Sequence, residues 1–130
     1  MNVINERLSV FDFVGGAETF RRLVHAFYRH VYADPLLRPQ FPDDRAGAEE
    51  RLALFLMQYF GGPATYSERR GHPRLRMRHI PFTIGQAERD AWLGHMLAAI
   101  DEIGIPEPAR TAMRDYFDYG ATFMINQAPS

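Results

Sequence analysis

The stretch GGPATYSERRGHPRLRMRHIPFTIG, residues 61–85, decides which fold this 130-residue sequence can adopt. Gly71, Pro73 and Pro81 interrupt it, so we do not expect a long helix there. Connections of more than about 12–15 residues without secondary structure are uncommon in compact domains, and they are usually functional where they occur. The stretch is therefore predicted to be a functional loop.

Four segments with helical periodicity surround this loop, and no segment shows sustained strand alternation. The predicted helices run approximately over Ala17 to Val31, Arg45 to Phe60, Gln86 to Ile103 and Pro108 to Gln127. Helix-breaking residues follow the first three of them, namely Asp34-Pro35, Gly61-Gly62-Pro63 and Gly104. The sequence thus predicts an all-α domain with four helices in two antiparallel pairs and one long loop.

Apolar side chains recur every three to four residues on each predicted helix, which indicates one buried stripe per helix. The stripe of the first helix contains Phe20, Leu23, Val24, Phe27 and Val31. That of the second contains Ala48, Leu52, Phe55, Leu56 and Tyr59. The third stripe includes Trp92, Met96 and Ile100, and the fourth includes Met113, Tyr116, Phe117, Gly120 and Phe123.

The composition is that of one ordinary globular domain over residues 1–130, in which we expect residues 1–14 to form an N-terminal extension. Apolar residues make up 46% of the chain and charged residues 24%. Cysteine is absent, which excludes disulfides, cysteine zinc sites, iron–sulfur clusters and cysteine nucleophiles. A metal would have to be held by His, carboxylate, Tyr or Met.

Charge and hydropathy favour a cytoplasmic protein without membrane or nucleic-acid partners. No apolar run approaches the roughly 20 residues that span a bilayer. Glu6, Arg7 and Asp12 near the N-terminus are unlike a signal peptide. The net charge of −1 gives the whole molecule no attraction for nucleic acid or anionic lipid.

The predicted loop concentrates positive charge beside a histidine. Between Ser67 and His79 the sequence has one acidic residue, Glu68, and five arginines, Arg69, Arg70, Arg74, Arg76 and Arg78. The guanidinium group of arginine binds carboxylates and phosphates well. Arginines beside His79 would therefore suit a ligand that carries both anionic groups and a metal, and haem is such a ligand. The chemistry of the residues leaves other interpretations open. The arginines could form a solvated face or a nucleic-acid patch, His79 could be a hydrogen-bonded loop histidine, and the aromatic stripes could simply be core.

Several stretches of the sequence resemble the group II truncated haemoglobins. The resemblance rests on AGAEERL at 46–52, QYFGGP at 58–63, YSE at 66–68, RGHPRLRMRH at 70–79, Pro81-Phe82, ERDAW at 88–92, Gly15-Gly16 and Phe27-Tyr28. It covers about residues 10 to 127. It implies an all-α, globin-like two-over-two helical sandwich around haem b, with residues 61–85 as the haem-side loop.

The resemblance implies a role for three residues around the iron. His79 is similar to the proximal ligand, which leaves the opposite coordination position open, and its other ring nitrogen is expected to meet a backbone carbonyl. Tyr28 and Trp92 match the distal tyrosine and tryptophan that donate hydrogen bonds to the bound gas.

The remaining haem-contacting residues are also implied by the resemblance. Ala48 stands where many globins have a distal histidine or glutamine, and Phe41 stands where these relatives frequently have tyrosine, so that Phe41 packs against haem but cannot donate. The distal pocket is expected to be lined by Leu52, Phe55 and Leu56 and closed at its rear by Met96 and Phe123. The expected propionate contacts are Tyr66, Arg74 and Arg78, and the further haem contacts are Met77 and Phe82.

The expected function is binding of O2, CO and NO at a five-coordinate iron, for O2 or NO scavenging or for redox chemistry. Nitric oxide dioxygenase or peroxidase-like activity would need an external electron donor, because the 130 residues contain no reductase domain. The sequence leaves open whether the protein forms a homo-oligomer. The alternative is a haem-free helical module whose arginine loop binds an acidic or phosphorylated partner. Two further functions are less favoured by the sequence: weak nucleic-acid binding by the arginine loop, and acid–base catalysis by an enzyme. No role is assigned to His25, His30, His72 and His95.

Overall fold

Helices make up most of the protein in a computed structural model that describes residues 3–5 and 8–127. The helices are α1 Val10–Phe13, α2 Ala17–Tyr32, α3 Arg45–Tyr59, α4 Thr65–Arg70, α5 Leu75–His79, α6 Gln86–Ile103 and α7 Ala109–Phe123. A 3-10 turn over Arg38–Gln40 links α2 to α3. The prediction of an all-α protein is confirmed.

The N-terminal extension predicted over residues 1–14 contains regular structure that the sequence did not indicate. Two short antiparallel strands, β1 Val3–Asn5 and β2 Leu8–Ser9, pair with Val3 opposite Ser9. The Ser9 hydroxyl accepts a hydrogen bond from the Asp12 backbone N–H at 3.1 Å, which caps α1. Residues 1, 2, 6 and 7 of the extension lie outside the described residues.

The four long helices α2, α3, α6 and α7 match the predicted ones, with one correction at the C-terminus. Helix α7 ends at Phe123 rather than near Gln127. The chain leaves the helix because the Asn126 backbone N–H donates to the carbonyl of Ile84 at 2.8 Å, in the loop before α6. Gly104 closes α6 with a left-handed conformation at φ +74°, as a C-terminal glycine should.

The predicted loop, residues 61–85, contains no long helix, as expected, but two short ones. Helix α4 follows the Gly61-Gly62-Pro63 break and has six residues, and α5 has five and ends at His79. Gly71 separates them with φ +76°, a conformation that favours glycine. Of the two short helices, α4 packs against α3.

The core lies where α2 packs against α3 and α6, and α6 against α7. The predicted stripe of α2 is almost fully buried, and full burial of each large side chain contributes roughly 1.5–3 kcal/mol. Tyr59 and Phe123 are corrections to the predicted stripes, because they are 39% and 45% exposed. Tyr59 is the last residue of α3, and Phe123 lies off the line Ala109, Met113, Phe117, Ala121 that forms the buried face of α7.

None of the helices in the described residues combines the length and the apolar character needed to cross a bilayer.

Candidate functional site

A cavity of about 360 Å³ opens between the helical core and the segment that follows α5. This volume is in the range of small-molecule and cofactor sites, about 300–1,000 Å³. Its walls are mostly apolar and come from α2, α3, α6, α7 and residues 75–84. The structure brings to it these predicted site residues: Tyr28, Phe41, Ala48, Leu52, Phe55, Leu56, Tyr66, Arg78, His79, Phe82 and Trp92.

Four predicted site residues do not reach the cavity. Met96 is completely buried in the core between helices. Met77 is 59% exposed. His79, two residues later on α5, lines the cavity, and residues two positions apart lie on nearly opposite sides of a helix. Arg74 is exposed where the chain enters α5, and Phe123 stacks on the exposed ring of Tyr119.

The His79 side chain is oriented by its own helix. Its Nδ1 meets the carbonyl of Leu75, one turn earlier, at 2.5 Å. The carbonyl can only accept, so Nδ1 carries the proton and Nε2 of the neutral ring keeps its lone pair. The backbone-carbonyl contact expected for this ring is therefore present, and it prepares Nε2 to donate to a metal.

Asn126 holds the backbone of the segment that carries His79. Its Nδ2 donates to the carbonyls of His79 at 3.2 Å and Phe82 at 2.7 Å, while its Oδ1 accepts from the Ile84 N–H at 2.9 Å. Sequence reasoning missed this residue, because it lies more than 40 positions away along the chain and belongs to no motif.

Gln40 fastens the same segment from the other side. Its amide pairs with both backbone groups of Thr83, donating to the carbonyl at 2.9 Å and accepting from the N–H at 3.0 Å. A side chain that satisfies both groups of one residue mimics one rung of a β-ladder. The chain after α5 is thus fixed at Thr83 by Gln40, in addition to the bonds from Asn126.

Two side chains that can donate hydrogen bonds, Tyr28 of α2 and Trp92 of α6, line the cavity. Tyr28 is 6% exposed, and burial raises the pKa of its hydroxyl far above the usual value, so the phenol keeps its proton. Trp92 packs edge-on to Phe27, with ring centroids 5.1 Å apart, and its indole N–H can only donate. Phe41 stands edge-on to Tyr28 at 5.7 Å and has no polar atom.

Several of the residues that line the cavity are arginines. The guanidinium of Arg78 donates to the carbonyls of Pro73 at 2.7 Å and Arg70 at 3.3 Å, which ties the loop together. Arg51 and Arg70 also line the cavity, and neither forms an ion pair with any described carboxylate. Sequence reasoning missed Arg51, although its position three residues after Ala48 places both on one face of α3.

These residues suit a flat apolar ligand that carries a metal and acidic groups. The walls supply aromatic and aliphatic surface, His79 Nε2 supplies a metal ligand, and Arg51 and Arg70 supply positive charge without an acidic partner. Haem has all three matching properties, so the residues present fit it.

Comparison with known proteins identifies the family. The bacterial-like globin family matches residues 9–126. The group 2 truncated haemoglobin YjbI of Bacillus subtilis is 41% identical over 112 residues, which are 86% of this chain and 85% of that protein.

Two crystal structures have the same fold. The haemoglobin of Chloroflexus aurantiacus is 61% identical, with a TM-score of 0.89 over 91% of this chain and 98% of that one. The group II truncated haemoglobin of Bacillus anthracis is 36% identical, with a TM-score of 0.92 over 97% of each chain. The predicted globin-like fold is thereby confirmed. The chain belongs to the bacterial-like globin family and, within it, to the group 2 truncated haemoglobins.

Proposed function

We propose that this globin holds haem b through His79 and binds O2, CO and NO under hydrogen-bond control by Tyr28 and Trp92. Its family establishes the coarser part, since globins hold haem and bind small diatomic ligands. The finer assignment is supported above all by one observation. The Nδ1 of His79 is engaged by Leu75, and the cavity that His79 lines is also lined by Tyr28 and Trp92.

On this proposal each group of cavity residues has a task in holding haem. The bound iron supplies an open coordination position for a diatomic ligand. His79 donates its Nε2 lone pair, and Phe41, Phe55 and Leu56 cover the macrocycle. Arg51 and Arg70 attract the propionates, and they suit this task better than Arg74, which is exposed outside the cavity.

Tyr28 and Trp92 would stabilise a polar ligand more than an apolar one. Each well-aligned donor contributes roughly 1–2 kcal/mol in a buried site, and more when the acceptor carries charge. Together they would slow the release of O2 by about a hundredfold, at 1.4 kcal/mol per factor of ten. CO accepts a weaker hydrogen bond and should gain less.

Slow release would suit scavenging or redox chemistry better than oxygen delivery. Two reactions are candidates for turnover: conversion of NO to nitrate with bound O2, and consumption of peroxide. Both need electrons from an external donor. The haem-free interaction module has lost support, because the family is that of haem proteins and Arg78 is bonded within its own loop.

The proposal is tested by reconstituting the purified protein with haem and recording absorption spectra of the ferric, reduced and CO-bound forms. We expect a Soret band that shifts on reduction and again with CO. Stopped-flow release of O2 should accelerate in Tyr28→Phe and Trp92→Phe. A colourless protein that takes up no haem would refute the proposal, and unchanged O2 release in both variants would refute the distal assignment.

A further inference from the structure

The side of α5 that does not line the cavity carries three exposed residues. Leu75 and His79, four residues apart, both line the cavity. Ile80 follows Met77 by three residues and Arg76 by four, so these three lie together on another side of the same short helix. Met77 is 59% exposed, Ile80 is 68% exposed, and Arg76 is exposed as well. The helix that carries His79 thus also carries a patch of protein surface.

The end of α7 extends this patch by two aromatic rings. The guanidinium carbon of Arg76 lies 5.3 Å from the centroid of the Phe123 ring. Phe123 in turn stacks on Tyr119, with centroids 6.2 Å apart, and both rings are exposed. None of these residues lines the cavity. We call Arg76, Met77, Ile80, Tyr119 and Phe123 together the outer surface.

The residue types of the outer surface are those of a protein–protein interface. Aromatic residues, methionine and arginine are enriched in such interfaces. Exposed apolar patches on globular proteins mark interaction sites. Seven large apolar side chains are exposed in the described residues, and four of them belong to the outer surface. This concentration favours a protein partner over a lipid or a nucleic acid.

The charges of the outer surface favour an acidic partner. Arg76 and the exposed Arg74 form no ion pair with any carboxylate of the described residues. Arg78 adds a third positive charge, and residues 74–80 contain no acidic residue. Of the two acidic residues of α7, Asp118 is paired with an arginine of α6, and Asp115 lies about two turns before the end of the helix. Positive charge is therefore left for a partner.

The charged groove between α2 and α3 differs in this respect. There Arg21 pairs with Glu50 at 2.7 Å, and Arg45 pairs with Glu49 at 2.8 Å. Charges that are paired within one protein contribute less to the complementarity that steers a partner. Arg22 is exposed in the same groove and forms no ion pair with a described residue, so it provides a matched control for a change of net charge.

A partner on the outer surface would be close to the proposed iron ligand. An α-helix with its side chains is about 10–12 Å across. Only this width separates the outer surface from the His79 ring, and electrons tunnel through protein over such distances. The proposed reactions need electrons from outside the chain. A small patch suits this task, because weak electron-transfer complexes bury less than about 1,200 Å² in total.

We propose that the outer surface is the docking site of an acidic one-electron carrier protein that reduces the haem iron. This rests on the proposed function, since it needs haem held by His79. In each encounter the carrier is oxidised by one electron and ferric iron is reduced to ferrous, and no bond forms or breaks. Acidic groups of the carrier meet Arg74 and Arg76, and the exposed apolar side chains exclude water between the two proteins.

The test uses a plant-type [2Fe–2S] ferredoxin as the probe, because it is an acidic one-electron carrier. It compares haem-loaded wild-type protein with Arg76→Glu, Ile80→Gln and the control Arg22→Glu. Calorimetric titration with oxidised ferredoxin at low and high salt measures binding. Stopped-flow mixing of reduced ferredoxin with the ferric protein under CO measures electron transfer, and analytical ultracentrifugation gives the oligomeric state.

We expect wild-type protein to bind ferredoxin more weakly at high salt. Binding and electron transfer should both fall by about tenfold in Arg76→Glu, because the variant reverses a charge at the contact. They should fall severalfold in Ile80→Gln and change little in Arg22→Glu. Unchanged binding in Arg76→Glu, or equal weakening in Arg76→Glu and Arg22→Glu, would overturn the proposal.

Two further outcomes would assign the outer surface to another occupant and overturn the proposal. One is a wild-type dimer that Ile80→Gln dissociates, and the other is binding to phosphatidylglycerol vesicles that Arg76→Glu abolishes while ferredoxin binding is unchanged. The CO spectrum of each reduced protein separates this proposal from the proposed function. A normal spectrum with unchanged ferredoxin binding in Arg76→Glu refutes only the docking site, whereas absence of a haem spectrum refutes both.

Discussion

The same cavity is lined by a wall formed by α2 and α6 and by residues 71–85, and different forces hold the two. On the proposed function the first is the distal wall and the second is the proximal segment. Phe27 of the distal wall is completely buried, and Tyr28 is 6% exposed. No residue of the proximal segment is fully buried. Its backbone is held by the side chains of Gln40 and Asn126. Packing fixes the wall that carries Tyr28 and Trp92, and hydrogen bonds fix the segment that carries His79.

The difference matters because the two forces have different consequences. Apolar burial is strong but non-directional, at about 25 cal/mol per Å². A hydrogen bond contributes only about 0.5–1.5 kcal/mol to stability, but it fixes direction. The direction of the proximal segment is therefore fixed by a few hydrogen bonds, with less apolar burial than supports the distal wall.

The largest effect should come from removing the ligand on the proximal side. We expect His79→Gly to abolish stable haem binding, because no other imidazole lines the cavity among the described residues. The measurement is haem retention after gel filtration, followed by the Soret band. Imidazole added to His79→Gly should restore retention, since it can occupy the vacated position. Full retention without imidazole would show that packing alone holds haem.

On the distal side, the effect should be large for O2 and small for CO. Tyr28→Phe and Trp92→Phe should each speed O2 release by about tenfold, which corresponds to about 1.4 kcal/mol per donor. Stopped-flow mixing and flash photolysis measure the two gases. Phe27→Leu is the matched control, because it changes packing without removing a donor. Equal acceleration for both gases would mean that the distal residues act by bulk.

The helices of the distal side could be predicted from the sequence because packing selects them. The apolar stripe of α2 and the Gly104 stop of α6 are local signals, and both helices begin where predicted. The positions of Tyr28 and Trp92 at the cavity followed from the resemblance to a known family and not from periodicity. Packing between helices has a repeating pattern in the sequence, so it can be recognised.

The proximal segment could be predicted only in outline. The breaks at Gly71 and Pro73 predicted that no long helix forms, but α5 has too few residues for a periodic signal. Asn126 acts across a separation of 42 to 47 residues, and Arg51 lies outside the arginine cluster of residues 69–78. Polar contacts of this kind depend on the finished fold, so a single sequence carries no local mark of them.

A smaller effect is expected from loosening the proximal hydrogen bonds. Asn126→Ala removes two donors and one acceptor from the segment that carries His79. We expect haem transfer to apomyoglobin to accelerate severalfold and the iron–histidine band in the Raman spectrum to broaden, while O2 release changes little. Gln86→Ala is the control, because among residues 3–5 and 8–127 the Gln86 amide bonds only to Asp90, on the surface of α6. Unchanged transfer in Asn126→Ala would mean that Gln40 and the loop suffice.

The smallest effect concerns a polar contact within the packed side of the molecule. Just after α2, Asp34 accepts a hydrogen bond from His95 Nε2 of α6 at 2.7 Å and another from the Leu36 N–H at 2.8 Å. The bond from His95, followed by that from Leu36, holds the pKa of Asp34 below its ordinary value of 3.8. The folded protein thus binds the proton less readily than the unfolded chain. The contact stabilises the fold fully at a pH well above 3.8, and its contribution declines as the pH falls from 3.8 through the lower pKa of Asp34 in the folded protein.

Asp34→Asn tests this contact with the least change in shape, because the amide oxygen can still accept from Leu36. We expect the variant to lose roughly 1 kcal/mol of unfolding free energy at pH 7 and less at pH 3, because at pH 3 the Asp34 carboxyl of the unfolded chain is already largely protonated. Urea unfolding of both proteins at each pH measures the difference, and loss of haem in acid cancels because both proteins share it. An equal difference at the two pH values would mean that the carboxylate charge contributes nothing. The packed side of the site would then owe its stability to apolar burial alone.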